Sequence, residues 1–94
     1  MGKTVLITGG SRGIGEAMVR LFAERGWTVI FTFVSSAAAA HKVATEAGAR
    51  AIRCDSGSED DILALFETLD GEGIVLDALI NNAGVSGPRR RAVE

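Results

Sequence analysis

The residues best suited to do chemistry lie in two short segments, Thr8-Gly9-Gly10-Ser11-Arg12-Gly13-Ile14-Gly15 and Asn81-Asn82-Ala83-Gly84. The first joins a β-branched run to an amphipathic run. At such a junction the unpaired N–H groups of the helix start and the helix dipole favour an anion. Glycine lets the turn be sharp and lets backbone approach a pyrophosphate with no Cβ in the way. The chemistry indicated is phosphate binding. Gly10 and Gly15 have the separation of a Walker A loop, but Glu16 and Ala17 stand where that loop needs Lys and Ser or Thr, which excludes a P-loop NTPase. The spacing Gly9, Gly13, Gly15 also differs from the common dinucleotide fingerprint G-x-G-x-x-G. Asp55 is a third candidate, read either as a ligand acceptor or as a loop carboxylate that caps a turn. Tyrosine is absent and the only lysines are Lys3 and Lys42, so no Tyr general acid is available within these residues.

Seven elements are expected to position these segments. Residues 3–8 form a β-branched run that stops at Gly9-Gly10, the pattern of a buried strand. Ile14, Ala17, Met18, Leu21 and Phe22 make an apolar stripe at helical spacing, predicting a helix over 14–25 closed by Gly26. A second strand follows at 27–33. Ser36 is placed to cap a helix over 37–47 that ends at Gly48, and residues 49–54 form a third strand. Ser58 and Asp61 resemble a capping box opening a helix over 59–70, and the apolar run 74–80 reads as a fourth strand. Strands alternating with helices imply a parallel sheet, because parallel neighbours need crossovers. With right-handed crossovers and the order 3-2-1-4, the first and fourth strands flank a switch point, and their carboxyl ends are the two distinctive segments.

Ninety-four residues allow one core, so residues 1–94 are read as a single unit. A composition 47% hydrophobic and 23% charged is that of a globular chain. No apolar run is long enough for a membrane span, no signal peptide is read at the start, and a net charge of −2 supplies no field for a nucleic acid. Arg89-Arg90-Arg91 is read as a solvated segment. One cysteine, Cys54, and one histidine, His41, exclude an internal disulfide and a zinc site, and fit a reducing cytoplasm. His41 is expected to be exposed. Cys54, Phe22, Trp27, Phe31, Phe33 and Phe66 are expected to serve the core.

The eight-residue glycine loop, Asp55 after the third strand and Asn81-Asn82-Ala83-Gly84 together resemble the short-chain dehydrogenase/reductase family, over residues 3 to about 91. The resemblance implies a Rossmann-like, doubly wound α/β fold, here incomplete and NAD(P)-binding. It is similar to the N-terminal part of a member, ahead of the family's catalytic serine and Tyr-x-x-x-Lys, so no catalytic residue is assigned. Gly9, Gly13 and Gly15 would line the pyrophosphate, with a backbone contact from Ile14. Asp55 would accept from the adenine amino group, with the Ser56 backbone beside it. Asn82, Ala83 and Gly84 would border the adenosine ribose, and Asn81 would tie the fourth strand to the glycine loop. NAD-preferring folds carry an acid at the end of the second strand, about 20 residues past the glycines, whereas Phe33 stands here, followed by Val34-Ser35-Ser36. With Arg12 on the loop and the hydroxyls of Ser35 and Ser36 nearby, a 2′-phosphate meets a cation and neutral donors, and the cofactor expected is NADP(H); Ser11 and Phe33 are counted with the cofactor-binding residues. The full-length family reaction is hydride transfer between nicotinamide and a carbonyl or alcohol. The alternatives are a non-catalytic dinucleotide-binding module and a structural fragment. The apolar strand at 74–80, if left as an edge, is expected to drive self-association.

Overall fold

The computed structural model describes residues 2–11 and 13–82. Arg12, Ala83, Gly84 and Arg89-Arg90-Arg91 fall outside the described residues. The elements run β1 Thr4–Thr8, α1 Gly13–Glu24, β2 Thr28–Phe33, α2 Ala37–Ala47, β3 Arg50–Arg53, α3 Glu59–Gly71 and β4 Ala78–Asn81. They form one four-stranded sheet in the order β3-β2-β1-β4, with every pairing parallel. The expected order 3-2-1-4 is therefore the one observed.

Alternation along the strands divides the core between two layers. Val5, Ile7, Val29, Phe31 and Phe33 face α1 and α2 and pack with Val19, Ala40 and Val43. Leu6 and Ile30 point the other way and pack with Cys54, Leu65 and Leu69 on the α3 side. Side chains in a strand alternate between faces, so β1 and β2 each supply both layers, and the buried polar residues in them are Thr8 and Thr32. Each large apolar side chain buried in this way contributes about 1.5–3 kcal/mol relative to exposure.

Several expectations change. The apolar stripe on α1 is rotated: Val19 is fully buried and Met18, Phe22 and Ala23 are half-buried, but Ile14 is 71% exposed and Leu21 46%. The close approach of Gly15 to Gly9 sets this rotation, because it turns Gly15 rather than Ile14 toward β1. β4 begins at Ala78, four residues later than the apolar run suggested. Its partner β1 begins at Thr4, and Asp77 closes the ladder there, its N–H donating to the Thr4 carbonyl (2.8 Å) and its carboxylate accepting from the Thr4 N–H (2.8 Å). Residues 74–76 have no strand to pair with, and Ile74 and Leu76 pack instead against the α3 layer.

The helix ends also differ in part. Ser36 occupies the cap position of α2 but makes no side-chain capping bond, whereas Gly48 closes that helix in the left-handed conformation. Ser58 caps α3 by accepting from the Asp61 N–H (3.2 Å). The Asp61 carboxylate does not return to Ser58; it accepts from the Asp55 N–H (3.0 Å), tying the end of β3 to the start of α3. His41 is exposed and Cys54 is buried, as expected, and burial pushes the Cys54 thiol above its ordinary value, with Asp61 and Asp55 adding to the effect. Phe66, expected in the core, is 38% exposed, because it borders an open pocket between α3 and the sheet together with Leu6 and Leu79.

Candidate functional site

The carboxyl ends of β1 and β4 lie side by side, with Thr8 registered opposite Asn81. This is the switch point, and the glycine loop leaves it between β1 and α1. Gly9 and Gly13 have φ of +73° and +65°, a backbone region that side chains rarely adopt. Gly15 is required for another reason: a Cβ there would overlap the Gly9 carbonyl oxygen and come within 2.8 Å of Asn82 Nδ2. A Cβ on Gly13 would meet nothing within 4 Å, so that part of the loop faces open space. A Cβ on Gly10 would lie 2.7 Å from the Phe31 side chain, so the loop is seated directly on β2.

The loop is hydrogen-bonded to both neighbours of β1. Gly9 N–H donates to Thr32 Oγ1 (3.1 Å) and Gly10 N–H to the Thr32 carbonyl (3.0 Å). From the other side Asn82 Nδ2 donates to the Gly9 carbonyl (3.1 Å). Asn81, expected to tie the fourth strand to the glycine loop, does so at the loop's first residue, its side chain accepting from Thr8 Oγ1 (3.1 Å). Register divides the work: Asn81 is level with Thr8, and the next residue, Asn82, reaches Gly9. Asn82, expected at the ribose, thus carries a structural bond to the loop as well. Thr32 had no assigned role, and Gly10 was counted in the loop without its seat on β2. A polar side chain flanked by two aromatic ones, Thr32 between Phe31 and Phe33, was the available signal.

At the start of α1 the first N–H groups have no intrahelical partner. The acidic residue of that first turn, Glu16, is held by Arg20 (2.8 Å), which also reaches Glu46 on α2 (2.8 Å). That ion pairing reduces the repulsion an incoming anion meets at the helix start.

The remaining predicted residues lie at neighbouring strand ends. Asp55 Oδ1 accepts from the Gly57 N–H (2.9 Å), and the Asp55 carbonyl accepts from the Ser58 N–H (2.9 Å), so this carboxylate caps the turn into α3. Ser56 Oγ is buried without a hydrogen-bond partner, beside a pocket of about 180 Å³ whose wall also includes Thr8, Asn81 and Cys54. Phe33, at the acid position, is 8% exposed and packs in the α1–α2 layer, its ring edge-on to His41 at 6.2 Å. Ser35 is exposed, and α2 carries no acidic residue in its first turn. Ser11 and Ile14 lie on the loop and the first turn of α1. Among the described residues there is no cluster of His, Cys, Asp or Glu able to hold a metal ion, and no helix long and apolar enough to cross a membrane.

Known proteins resemble the chain in both sequence and shape. It is 48% identical over 84 residues to the cyclic-di-GMP-binding biofilm dispersal mediator protein of Escherichia coli, covering 89% of the chain and 34% of that protein. It is 43% identical over 94 residues to sex determination protein tasselseed-2 of Zea mays, covering 97% of the chain and 28% of that protein. A solved structure of BdcA in complex with NADPH superposes with a TM-score of 0.79 at 45% identity, over 90% of the chain and 33% of that structure. The chain thus spans about a third of the length of these relatives. The profile of the family described as short chain dehydrogenase matches residues 3–93. A match of that extent, on a parallel sheet whose order creates the switch point, makes this chain a member of the short chain dehydrogenase family, with the NAD(P)-binding type of fold.

Proposed function

We propose that these residues form a dinucleotide-binding unit that takes NADP(H) and supplies the cofactor-holding part of an oxidoreductase. The observation that carries the reading is the loop between β1 and α1. It has left-handed glycines at Gly9 and Gly13, open space above Gly13 and the free N–H groups of a helix start, a combination suited to a pyrophosphate. Gly9, Gly13 and Gly15 would line that group, with Ile14 contributing backbone and Ser11 and Arg12 reaching toward the ribose. Ser35 and the acid-free start of α2 support a 2′-phosphate, as does the NADPH in the BdcA structure. Asp55 and Ser56 would hold the adenine, and Asn82, Ala83 and Gly84 would border the ribose.

When bound, the nicotinamide supplies or accepts a hydride. The residues of this chain bind and orient the dinucleotide. A substrate carbonyl would need a general acid, and the sequence contains no tyrosine to act as one. The wider reaction, hydride exchange with a carbonyl or alcohol carbon, is therefore proposed for the catalytic groups of the family acting on a cofactor held here. A location in the cytoplasm is proposed on the free thiol of Cys54.

Calorimetric titration tests the reading. NADPH is expected to bind at least tenfold more tightly than NADH, and equal affinities would remove the 2′-phosphate assignment. A second reading, a non-catalytic module for another dinucleotide, is favoured by the relative named for binding cyclic di-GMP. Displacement of NADPH by cyclic di-GMP in the same calorimeter would support it.

The same proposal includes self-association. Among the described residues β4 pairs with β1 alone, and Leu79 on β4 is 56% exposed, on the wall of a pocket it shares with Phe66 of α3, itself 38% exposed. The one charged residue at the start of this edge, Asp77, spends its carboxylate inward on Thr4 and does little to deter a pairing strand.

A further inference from the structure

The buried polar residues among those described are Thr8 and Thr32, and both lie at the base of the glycine loop. Thr8 serves the β4 side through Asn81. Thr32 is 1% exposed, lies between two buried phenylalanines in β2, and is registered opposite Ile52 of β3. A valine would fill the same volume, so packing gives no reason for a hydroxyl there. Its reason is local: Thr32 Oγ1 accepts the Gly9 N–H and the Thr32 carbonyl accepts the Gly10 N–H. On the opposite side of β1 the Gly9 carbonyl accepts from Asn82. The two polar groups of the Gly9 backbone are thus bonded to β2 on one side and to the residue that follows β4 on the other, at a residue with φ of +73°. Because the Gly9 and Gly10 N–H groups are turned into β2, the donors left for an anion are those of the α1 start.

We propose that Thr32 is a positioning residue for the phosphate-binding loop, clamping Gly9 through its buried hydroxyl against the opposing bond from Asn82. The proposal rests on the dinucleotide reading above and assigns Thr32 no contact with the ligand. Removing the acceptor without changing the volume leaves a part-buried N–H unpaired, and the loop must move to satisfy it.

The test uses the full chain with Thr32→Val and Thr32→Ser. Thr32→Val is expected to keep the parent far-UV spectrum and to weaken NADPH about tenfold. Adenosine, which carries neither pyrophosphate nor 2′-phosphate, should bind within about twofold of the parent. Thr32→Ser, which restores the hydroxyl, should recover NADPH affinity to within about threefold. In the ligand-free chain, amide exchange at Gly9 should quicken at least tenfold in Thr32→Val while the amides of Val29 to Phe31 stay as slow as in the parent. Unchanged NADPH affinity in Thr32→Val, equal losses for NADPH and adenosine, or no recovery with serine would each overturn the clamp. Failure of the parent chain to bind NADPH would overturn the dinucleotide reading instead. The exchange measurement would still decide the clamp, because it needs no ligand.

Discussion

Gly15 shows how strictly one residue is constrained at the switch point. The Cβ of an alanine there would press on the Gly9 carbonyl and on Asn82, groups that are already bonded to one another, so neither can yield without breaking that bond. Gly15→Ala is expected to cost about 1–3 kcal/mol of stability, the usual range for overpacking, and to weaken NADPH at least tenfold. Chemical denaturation and titration measure the two effects. Cofactor preference is tested at Ser35. Phe33 occupies the acid position, but an aspartate there would be buried in the α1–α2 layer and would unfold part of the core. Ser35 is exposed at the same strand end, so Ser35→Asp brings a carboxylate without opening the core. NADPH affinity is expected to fall about tenfold, an electrostatic penalty of about 1.4 kcal/mol, with NADH affinity within about threefold of the parent. The motif positions were readable before the fold was known because glycine, asparagine and aspartate are conspicuous at strand ends. The division of labour between Asn81 and Asn82 was not, since it depends on which of them is level with Gly9.

Element boundaries follow local propensity where no partner intervenes. α2 and α3 begin where Ser36 and Ser58 predict, and Gly48 ends α2 in the left-handed conformation. The buried face of α1 and the length of β4 depart from their sequence patterns because each is set by β1, through Gly9 in one case and Thr4 in the other. A contact between elements also links the start of β3 to the end of α3: Arg50 holds Glu72 through two hydrogen bonds, 2.6 and 2.9 Å. That bond keeps the Glu72 carboxyl below the ordinary carboxylate range and raises Arg50. A carboxylate lowered in the folded state stabilises above its unfolded value and loses that contribution as pH falls through the folded one. The melting temperature of Arg50→Gln is therefore expected to lie below that of the parent at neutral pH. As the pH falls far enough into the acid range to protonate Glu72, the two should converge. Thermal melts across that range would show parallel curves if the pair contributes nothing.

At the scale of the whole molecule, β1 and β2 are the inner strands of the sheet among the described residues, and β3 and β4 are its edges. β1 and β2 are covered on both faces, whereas β4 has Ala78 and Ile80 half-buried on one face and Leu79 exposed on the other. An apolar edge with no free charge pairs readily with another strand. Leu79→Glu is expected to shift the protein toward monomer in light scattering without lowering its melting temperature by more than about 2 °C, since the side chain is already in water. Association unchanged by Leu79→Glu would place the contact elsewhere. NADPH, bound by the folded state alone, should raise the melting temperature in both proteins.

Alternating strand and helix patterns and the turn glycines were enough to obtain a parallel sheet of four strands and, given the expected order 3-2-1-4 and right-handed crossovers, the place where a ligand would lie, because these depend on local chain chemistry or on a general topological rule. The roles of Thr32 and Gly10, the inward use of Asp77, the turn-capping bond of Asp55 and the rotation of α1 came only with folding. Each depends on atoms that are distant in the chain and meet across the sheet, where a shift of one residue in register changes which side chain reaches which backbone group.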